Sequence, residues 1–292
     1  MGKCDLCPRA CNIDRAQGVG FCGMGAELFA ARAGLHFWEE PCIAGYGGAG
    51  TVFFTGCNLR CVYCQNREIS AGKKGKEITV TRLREIFHEL IFDGAECIDL
   101  VTPTHYADRI AEALAAEKLP VPVVYNCGGY EKTETLRMLE GLVDVYLPDY
   151  KYAHPALAKS LSAAPDYPAA ALAAIKEMYR QTGDWTTDED GLLQKGVLAR
   201  HLVLPGYIEN SLDCIDILTD TFTEEQILLS VMSQYTPPPF ALPQPSLNRR
   251  LTQQEYDRVT DYLYLLGREN IYVQELSSAK EEYTPEFDFS GI

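Results

Sequence analysis

Three cysteines within eight residues, Cys57-Asn-Leu-Arg-Cys61-Val-Tyr-Cys64, constrain this chain more than any other feature. They stand directly after a short apolar run, Thr51-Val-Phe-Phe-Thr55, which is bounded by glycines and reads as a buried strand. Gly56 allows a sharp exit from that strand, so the next loop can turn three thiolates toward one point. The chain has 11 cysteines and no apolar signal-peptide core at its start. The expectation is therefore a cytoplasmic protein whose clustered thiols hold metal and are not paired as disulfides. Three thiolates suit one cube-shaped iron–sulfur cluster with one iron left without a protein ligand, whereas most electron-transfer clusters use four cysteines. An open coordination position is where a metal site does chemistry.

A second group, Cys4, Cys7, Cys11 and Cys22, lies near the start. The tight Cys-x2-Cys turn lets two thiolates share one metal, and structural zinc and a second iron–sulfur cluster both fit four thiolates. Either would staple a segment too small to hold its own core. Cys42, Cys97, Cys127 and Cys214 are scattered and read as small buried hydrophobes.

Beyond residue 45 short apolar runs alternate with helical patterns. Strands are expected at 51–55, 97–101, 121–125, 143–147, 197–204, 227–232 and 271–273. Between them, Leu83, Ile86, Phe87, Leu90 and Ile91 share one helix face, with Thr81 as N-cap and Gly94 as stop. Further helices run through Ile110 and Leu114, through Leu136 and Leu139, over 169–180, around Ile215 and Leu218, and over 252–266. This β-then-α rhythm argues for an α/β fold of parallel strands with crossover helices. An open partial barrel and a doubly wound sheet both fit seven units, and both gather ligands at the C-terminal strand ends. The expected division is a Cys-rich segment 1–45, a catalytic body 46–280 and a tail 281–292.

Asp plus Glu is 41 against 26 Lys plus Arg, a net charge of −15, opposite in sign to a non-specific nucleic-acid binder. No stretch approaches the apolar length of a membrane span. Lys73, Lys74 and Lys76 follow the triad in a Gly-rich loop, placed to steer an acidic electron donor. His36 and His105 are candidates to face a substrate, and the paired carboxylates Glu39 and Glu40 are candidates for proton transfer.

The Cys-x3-Cys-x2-Cys spacing, with Tyr63 before the last cysteine, resembles the signature of the radical S-adenosylmethionine (SAM) superfamily. The resemblance implies a partial (β/α)6-type barrel with a small N-terminal Cys-rich metal-binding segment. It implies a 4Fe–4S cluster on Cys57, Cys61 and Cys64, with SAM on the open iron and Tyr63 near its adenine. Reductive cleavage would give methionine and a 5′-deoxyadenosyl radical that abstracts hydrogen from a substrate, with flavodoxin or ferredoxin as electron donor. More narrowly, Cys61-Val-Tyr-Cys64-Gln-Asn66-Arg67 is similar to the activating enzymes of pyruvate formate-lyase and other glycyl radical enzymes. Asp149 and Lys151 resemble that family's Asp-x-Lys at a strand end, and Arg200-His201 before Leu202-Val-Leu-Pro-Gly206 resembles its Arg-aromatic-Val-Val-Pro-Gly. This implies Asn66, Asp149, Lys151 and Arg200 as SAM contacts.

Longer words resemble a branch of iron–sulfur proteins described as pyruvate formate-lyase-activating-enzyme-like. They are Cys4-x2-Cys7-Pro-Arg-x-Cys11, His36-Phe-Trp-Glu-Glu-Pro41, Val101-Thr-Pro-Thr-His-Tyr106, Asn126 before Gly128-Gly129-Tyr130, and Ser233-Gln-Tyr235. Two departures stand out. The usual Gly-Gly-Glu after the second strand is absent, and Thr102 and Thr104 are the expected acceptors for the SAM amino group in its place. The extra cysteines precede the central motif, whereas activases with extra clusters insert them after it. A protein glycyl residue is therefore one substrate option beside another peptide or a small metabolite. The rival reading is a non-catalytic, metal-carrying interaction module on the same fold.

Overall fold

The apolar runs become strands, and the first of them in the chain lies where none is expected. In this computed structural model, which describes residues 3–278 and 284–292, the strands are β1 (Leu28–His36), β2 (Ala49–Phe54), β3 (Lys76–Ile78), β4 (Cys97–Val101), β5 (Val123–Cys127), β6 (Val145–Pro148), β7 (Thr186–Thr187), β8 (Leu193–Leu202), β9 (Leu228–Met232) and β10 (Ile271–Val273). Their order is β10-β9-β8-β6-β5-β4-β2-β1-β3, with the short β7 on β8. The seven strands from β10 to β2 pair in parallel, as the rhythm requires. Their spatial order follows chain order without a reversal. A doubly wound sheet needs a reversal, and right-handed crossovers without one put every helix on the same face, as in an open barrel.

Curvature follows from what lines the inner surface. Phe53 on β2 and Met232 on β9 border one cleft. In a flat sheet five strand spacings would hold them about 24 Å apart, so the sheet curls around the cleft.

The parallel edge is closed by antiparallel β1 and β3, which the sequence reading lacks. Residues 28–36, expected within the Cys-rich segment, are thus part of the sheet. The chain's end covers the same edge: the Phe289 amide donates to Ala31 O at 3.1 Å and the Ala33 amide to Ser290 O at 2.9 Å. Phe287 is buried edge-on against Phe53. The expected boundary between residues 280 and 281 lies outside the described residues.

Local chemistry sets the element ends. The helix Val80–Phe92 buries Leu83, Ile86, Phe87 and Leu90, but its N-cap is Thr79, whose hydroxyl accepts from the Arg82 amide at 3.0 Å, and not Thr81. Pro122 has no amide to donate, so β5 begins after it. A capping box of Thr252 and Glu255 starts the helix Gln253–Leu266. One helix, Pro155–Ser162, is absent from the sequence reading. β4 and β5 are buried along their whole length, as parallel strands covered on both faces are. Among the described residues no helix is long and apolar enough to cross a membrane.

Candidate functional site

The cleft inside the curl has a rim of sulfur and a floor of charge. Its volume is about 230 Å³, and Cys57, Cys61 and Cys64 line one side. The turn that brings them there needs Gly56: φ is +91°, and a Cβ would meet Met24 Cγ at 2.4 Å. Each sulfur accepts one hydrogen bond. The Leu59 amide donates to Cys57 Sγ at 3.4 Å, the Ser162 hydroxyl to Cys61 Sγ at 3.1 Å, and the Ser70 hydroxyl to Cys64 Sγ at 3.4 Å. Burial, then the neighbouring Cys61 and Cys64, pushes the Cys57 thiol up to about 12. Burial and Cys61 likewise raise Cys64. Thiols raised in this way, Cys57 and Cys64, stay protonated unless a cationic centre binds them. Among the described residues no three Cys, His, Asp or Glu side chains converge closely enough to hold a single metal ion. The triad fits a cluster, which spreads its ligands over separate irons.

Opposite the rim, Arg200 on β8 is the hub of the floor. Its Nε donates to Asp149 Oδ1 at 3.1 Å, Nη1 to Glu39 Oε1 at 2.7 Å and Nη2 to Asn126 Oδ1 at 2.6 Å. Asn126 Nδ2 returns a bond to Glu39 Oε2 at 2.9 Å, and Lys151 Nζ pairs with Asp149. Burial alone would raise the Asp149 carboxyl, but Lys151 and Arg200 outweigh it and hold the carboxyl below its usual range. The floor therefore offers a fixed carboxylate, an ammonium and a guanidinium within one cleft, groups able to hold a ligand that carries both signs of charge.

Of the residues expected in the site, His36, Cys57, Cys61, Tyr63, Cys64, Asn66, Thr102, Asn126, Asp149, Lys151 and Arg200 all line this cleft. Thr102 does so with φ +60°, a backbone that a β-branched residue rarely adopts. Tyr63 is buried and shares a hydrogen bond of 2.8 Å with the Tyr152 hydroxyl.

Three expectations need correction. Thr104 is buried outside the cleft, with its hydroxyl committed to Glu131 Oε1 at 2.6 Å, so it is not free to accept from SAM. His105 is buried beneath the triad loop, its Nε2 at 2.7 Å from Thr55 O, and burial pushes it down to about 4, so it stays neutral packing. Glu40 points away from the cleft into β9, where the Ser230 hydroxyl donates to it at 2.7 Å. The basic loop is also less free than expected: Lys74 pairs with Glu68 and Lys76 donates to Ile292 O.

Of the adjacent Glu39 and Glu40, it is Glu39 that lines the cleft. The Glu-Glu pair marks the place, but which carboxylate enters the cleft is set by the entry into β2. Ser70 and Ser162 had no sequence signal. The cleft shares Tyr63, Cys64, Gln65 and Thr284 with a second cavity of about 710 Å³, which Pro237, Pro238, Pro239 and Phe240 wall on the far side.

Comparisons with known proteins agree with this geometry. A sequence model of the Radical SAM superfamily matches residues 51–189. An uncharacterized protein of Methanocaldococcus jannaschii is 28% identical over 287 residues, covering 92% of this chain and 77% of the relative. Among solved structures, Streptococcus suis SuiB bound to precursor peptide SuiA is similar at TM-score 0.51 and 15% identity, over 77% of this chain and 48% of that one. HydG, a maturase of the [FeFe]-hydrogenase, is similar at TM-score 0.51 and 15% identity, over 78% and 52%. The chain spans about half the length of these two structures, and at such identity the likeness shows the fold alone. The matched residues hold the three cysteines, Asn126, Asp149 and Lys151. The Radical SAM superfamily model thus covers just under half of the chain, and members of that superfamily are enzymes that use a 4Fe–4S cluster and SAM.

Proposed function

We propose that this chain is a radical SAM enzyme, with Cys57, Cys61 and Cys64 as the ligands of one 4Fe–4S cluster and the charged floor as the seat of SAM. The observation that carries the reading is the pairing of a three-sulfur rim with a two-signed floor across one cleft. When bound, the cluster and SAM supply a 5′-deoxyadenosyl radical that takes hydrogen from the substrate. Lys151 and Arg200 attract the SAM carboxylate, and Asp149 keeps both cations in place. With Thr104 committed elsewhere, Glu39 and Thr102 are the cleft acceptors for the SAM amino group. The hydroxyls of Ser70 and Ser162 and the Leu59 amide stabilise the thiolates. Tyr63 walls the adenine side.

For the substrate we favour a peptide or protein segment, a glycyl residue included. The cleft continues into the wider cavity beside Pro237–Pro239, which gives a chain room to enter. SuiB, solved with a precursor peptide, has a similar fold. The electron donor is of the flavodoxin or ferredoxin class, the chain acts in the cytoplasm, and the Cys-rich N-terminal stretch is an appendage to the barrel.

The test is anaerobic reconstitution with iron and sulfide, reduction with dithionite in the presence of SAM, and chromatography of 5′-deoxyadenosine. Product from the wild type and none from the chain with Cys57, Cys61 and Cys64 all changed to Ala is expected. A cluster-loaded wild type that binds SAM and never yields deoxyadenosine, with peptides or small metabolites present, would mean a non-catalytic module.

A further inference from the structure

The four N-terminal cysteines are outside the cleft, yet the fold presses them against its rim. Their loops fold back on each other: the Cys4 amide donates to Ile13 O at 2.8 Å, the Asn12 amide to Cys4 O at 3.0 Å and the Ala10 amide to Cys7 O at 3.0 Å. The four thiols are electrostatic neighbours. Cys11 and Cys22 act on Cys7, and Cys4 and Cys11 act on Cys22. A Cβ added to Gly20 would sit in ordinary contact, 3.5 Å from both Cys11 Sγ and Cys22 Sγ, so these two sulfurs border one space beside Gly20.

Three observations decide what this space takes. First, cations border it in a chain of net charge −15, beside the carboxyl of Glu131, which acts on Cys7. Arg15 acts on Cys22, and a Cβ at Gly23 would meet Lys73 Cε at 2.8 Å and Arg60 Nη2 at 3.2 Å. Cationic side chains thus stand beside any anionic centre held in this space. Second, zinc at about 2.3 Å from each sulfur would draw the sulfurs to within about 4 Å of one another. Among the described residues no three such side chains are grouped to hold a metal ion, at the tetrad and at the triad alike. Third, the two cysteine sets touch through backbone: the Cys57 amide donates to Cys22 O at 3.4 Å. Arg9 locks the contact, its Nε donating to Asn58 O at 2.8 Å and its Nη2 to Ser162 O at 2.8 Å, while its guanidinium lies 3.9 Å from the Phe21 ring centroid.

We propose that Cys4, Cys7, Cys11 and Cys22 hold a second iron–sulfur cluster, ligated by four protein thiolates and redox-coupled to the centre at Cys57, Cys61 and Cys64 across the Cys22–Cys57 hydrogen bond. The coupling rests on the reading of the triad as a cluster site; the ligand class at the tetrad does not. Four protein ligands leave no iron open, so this centre exchanges one electron and binds no substrate. Its electron comes from an external one-electron reductant, dithionite in the test.

The experiment compares the reconstituted full chain with the variant in which Cys57, Cys61 and Cys64 are all Ala, by metal analysis and by electron paramagnetic resonance after dithionite reduction. Iron should fall from about eight atoms per chain in the wild type to about four in the variant, with no zinc in either. The variant's remaining signal should saturate at lower microwave power than the same signal in the wild type, where the neighbouring centre speeds relaxation. Zinc at the tetrad, or a variant without iron, overturns the second cluster. Equal saturation in the two proteins overturns the coupling. Should the variant fail to fold, the wild type alone decides: about four iron atoms with one zinc refutes the proposal, and about eight without zinc supports the cluster. A wild type whose iron is fully retained in the variant sinks the radical SAM reading and leaves the tetrad cluster standing.

Discussion

The rim and the floor of the cleft are built in opposite ways. The rim is one loop: Cys57, Cys61 and Cys64 lie within eight residues, each held by a single hydrogen bond at 3.1 to 3.4 Å. The floor is assembled from the loop before β2 and from β5, the end of β6 and β8, and it is braced by ion pairs between side chains only about an eighth exposed. The rim's backbone is pinned from outside, by Arg9 on Asn58 O and by Asn58 Nδ2 on Tyr130 O, while its sulfurs carry only long hydrogen bonds. The floor is rigid before any ligand arrives, so binding there costs little ordering.

The contrast breaks most readily at Arg200. Changing it to Ala leaves Glu39 and Asp149 buried without their guanidinium, and removing one partner from a buried ion pair costs about 3–5 kcal/mol. Denaturant unfolding of the metal-free chain reads this directly. A loss below about 1 kcal/mol would mean that the floor is no better braced than a surface pair.

Glu131 sharpens the same contrast, because it is a buried carboxyl without a cation. It accepts from the hydroxyls of Thr104, at 2.6 Å, and Tyr125, at 3.3 Å, and from the Cys127 thiol, and burial raises it from 4.5 to about 7. A carboxyl raised on folding contributes stability that is complete below its unfolded value and is lost as pH rises through the folded one. Between pH 5 and pH 8 the wild type should therefore lose about 2.5 kcal/mol through this group. Glu131→Gln should lack that slope. Asp149, held low by Lys151 and Arg200, works with the opposite sign, its contribution fading only as pH falls below the ordinary carboxylate range. Parallel slopes for the wild type and Glu131→Gln would show that Glu131 is ionised throughout.

What the sequence disclosed follows the same division. The rim was legible because its spacing is local, and the parallel strands because buried parallel strands are continuous apolar runs. Asn126, Asp149, Lys151 and Arg200 became visible only through family resemblance, since they come from three separate places, β5, the stretch after β6 and β8. Glu39 and Glu40 are adjacent and chemically alike. One enters the cleft and the other turns into β9 because the chain enters β2 from the antiparallel β1, a pairing with no local signal. For the same reason Thr104 and His105 read as site residues: their word follows β4 directly, but the turn at Thr104–Tyr106 carries them under the N-terminal segment, where Arg15 donates to His105 O at 2.6 Å. The serines that serve the sulfurs were invisible, Ser162 lying at the end of a helix that the periodicity did not disclose.

Ser162 also gives the smallest and most specific probe of the rim. A chain of hydroxyls runs from Tyr63 to Tyr152 at 2.8 Å, from Tyr152 to Ser162 at 2.7 Å and from Ser162 to Cys61 Sγ at 3.1 Å. Ser162→Ala deletes two of these bonds, yet Tyr152 keeps Tyr63 as partner, so the metal-free protein should lose only about 1 kcal/mol. The larger consequence belongs to the loaded protein. A donor to a ligating sulfur favours the reduced, more negative cluster, so its removal should shift the midpoint potential at the triad in the negative direction. Redox titration followed by electron paramagnetic resonance measures it, with Ser70→Ala as the matched case at Cys64. An unchanged potential in both variants would mean that these hydroxyls pack the loop without touching the metal's electronics. A shift at Ser162 and none at Ser70 would single out Cys61, whose donor is the closer by 0.3 Å, as the sulfur through which the protein tunes the centre.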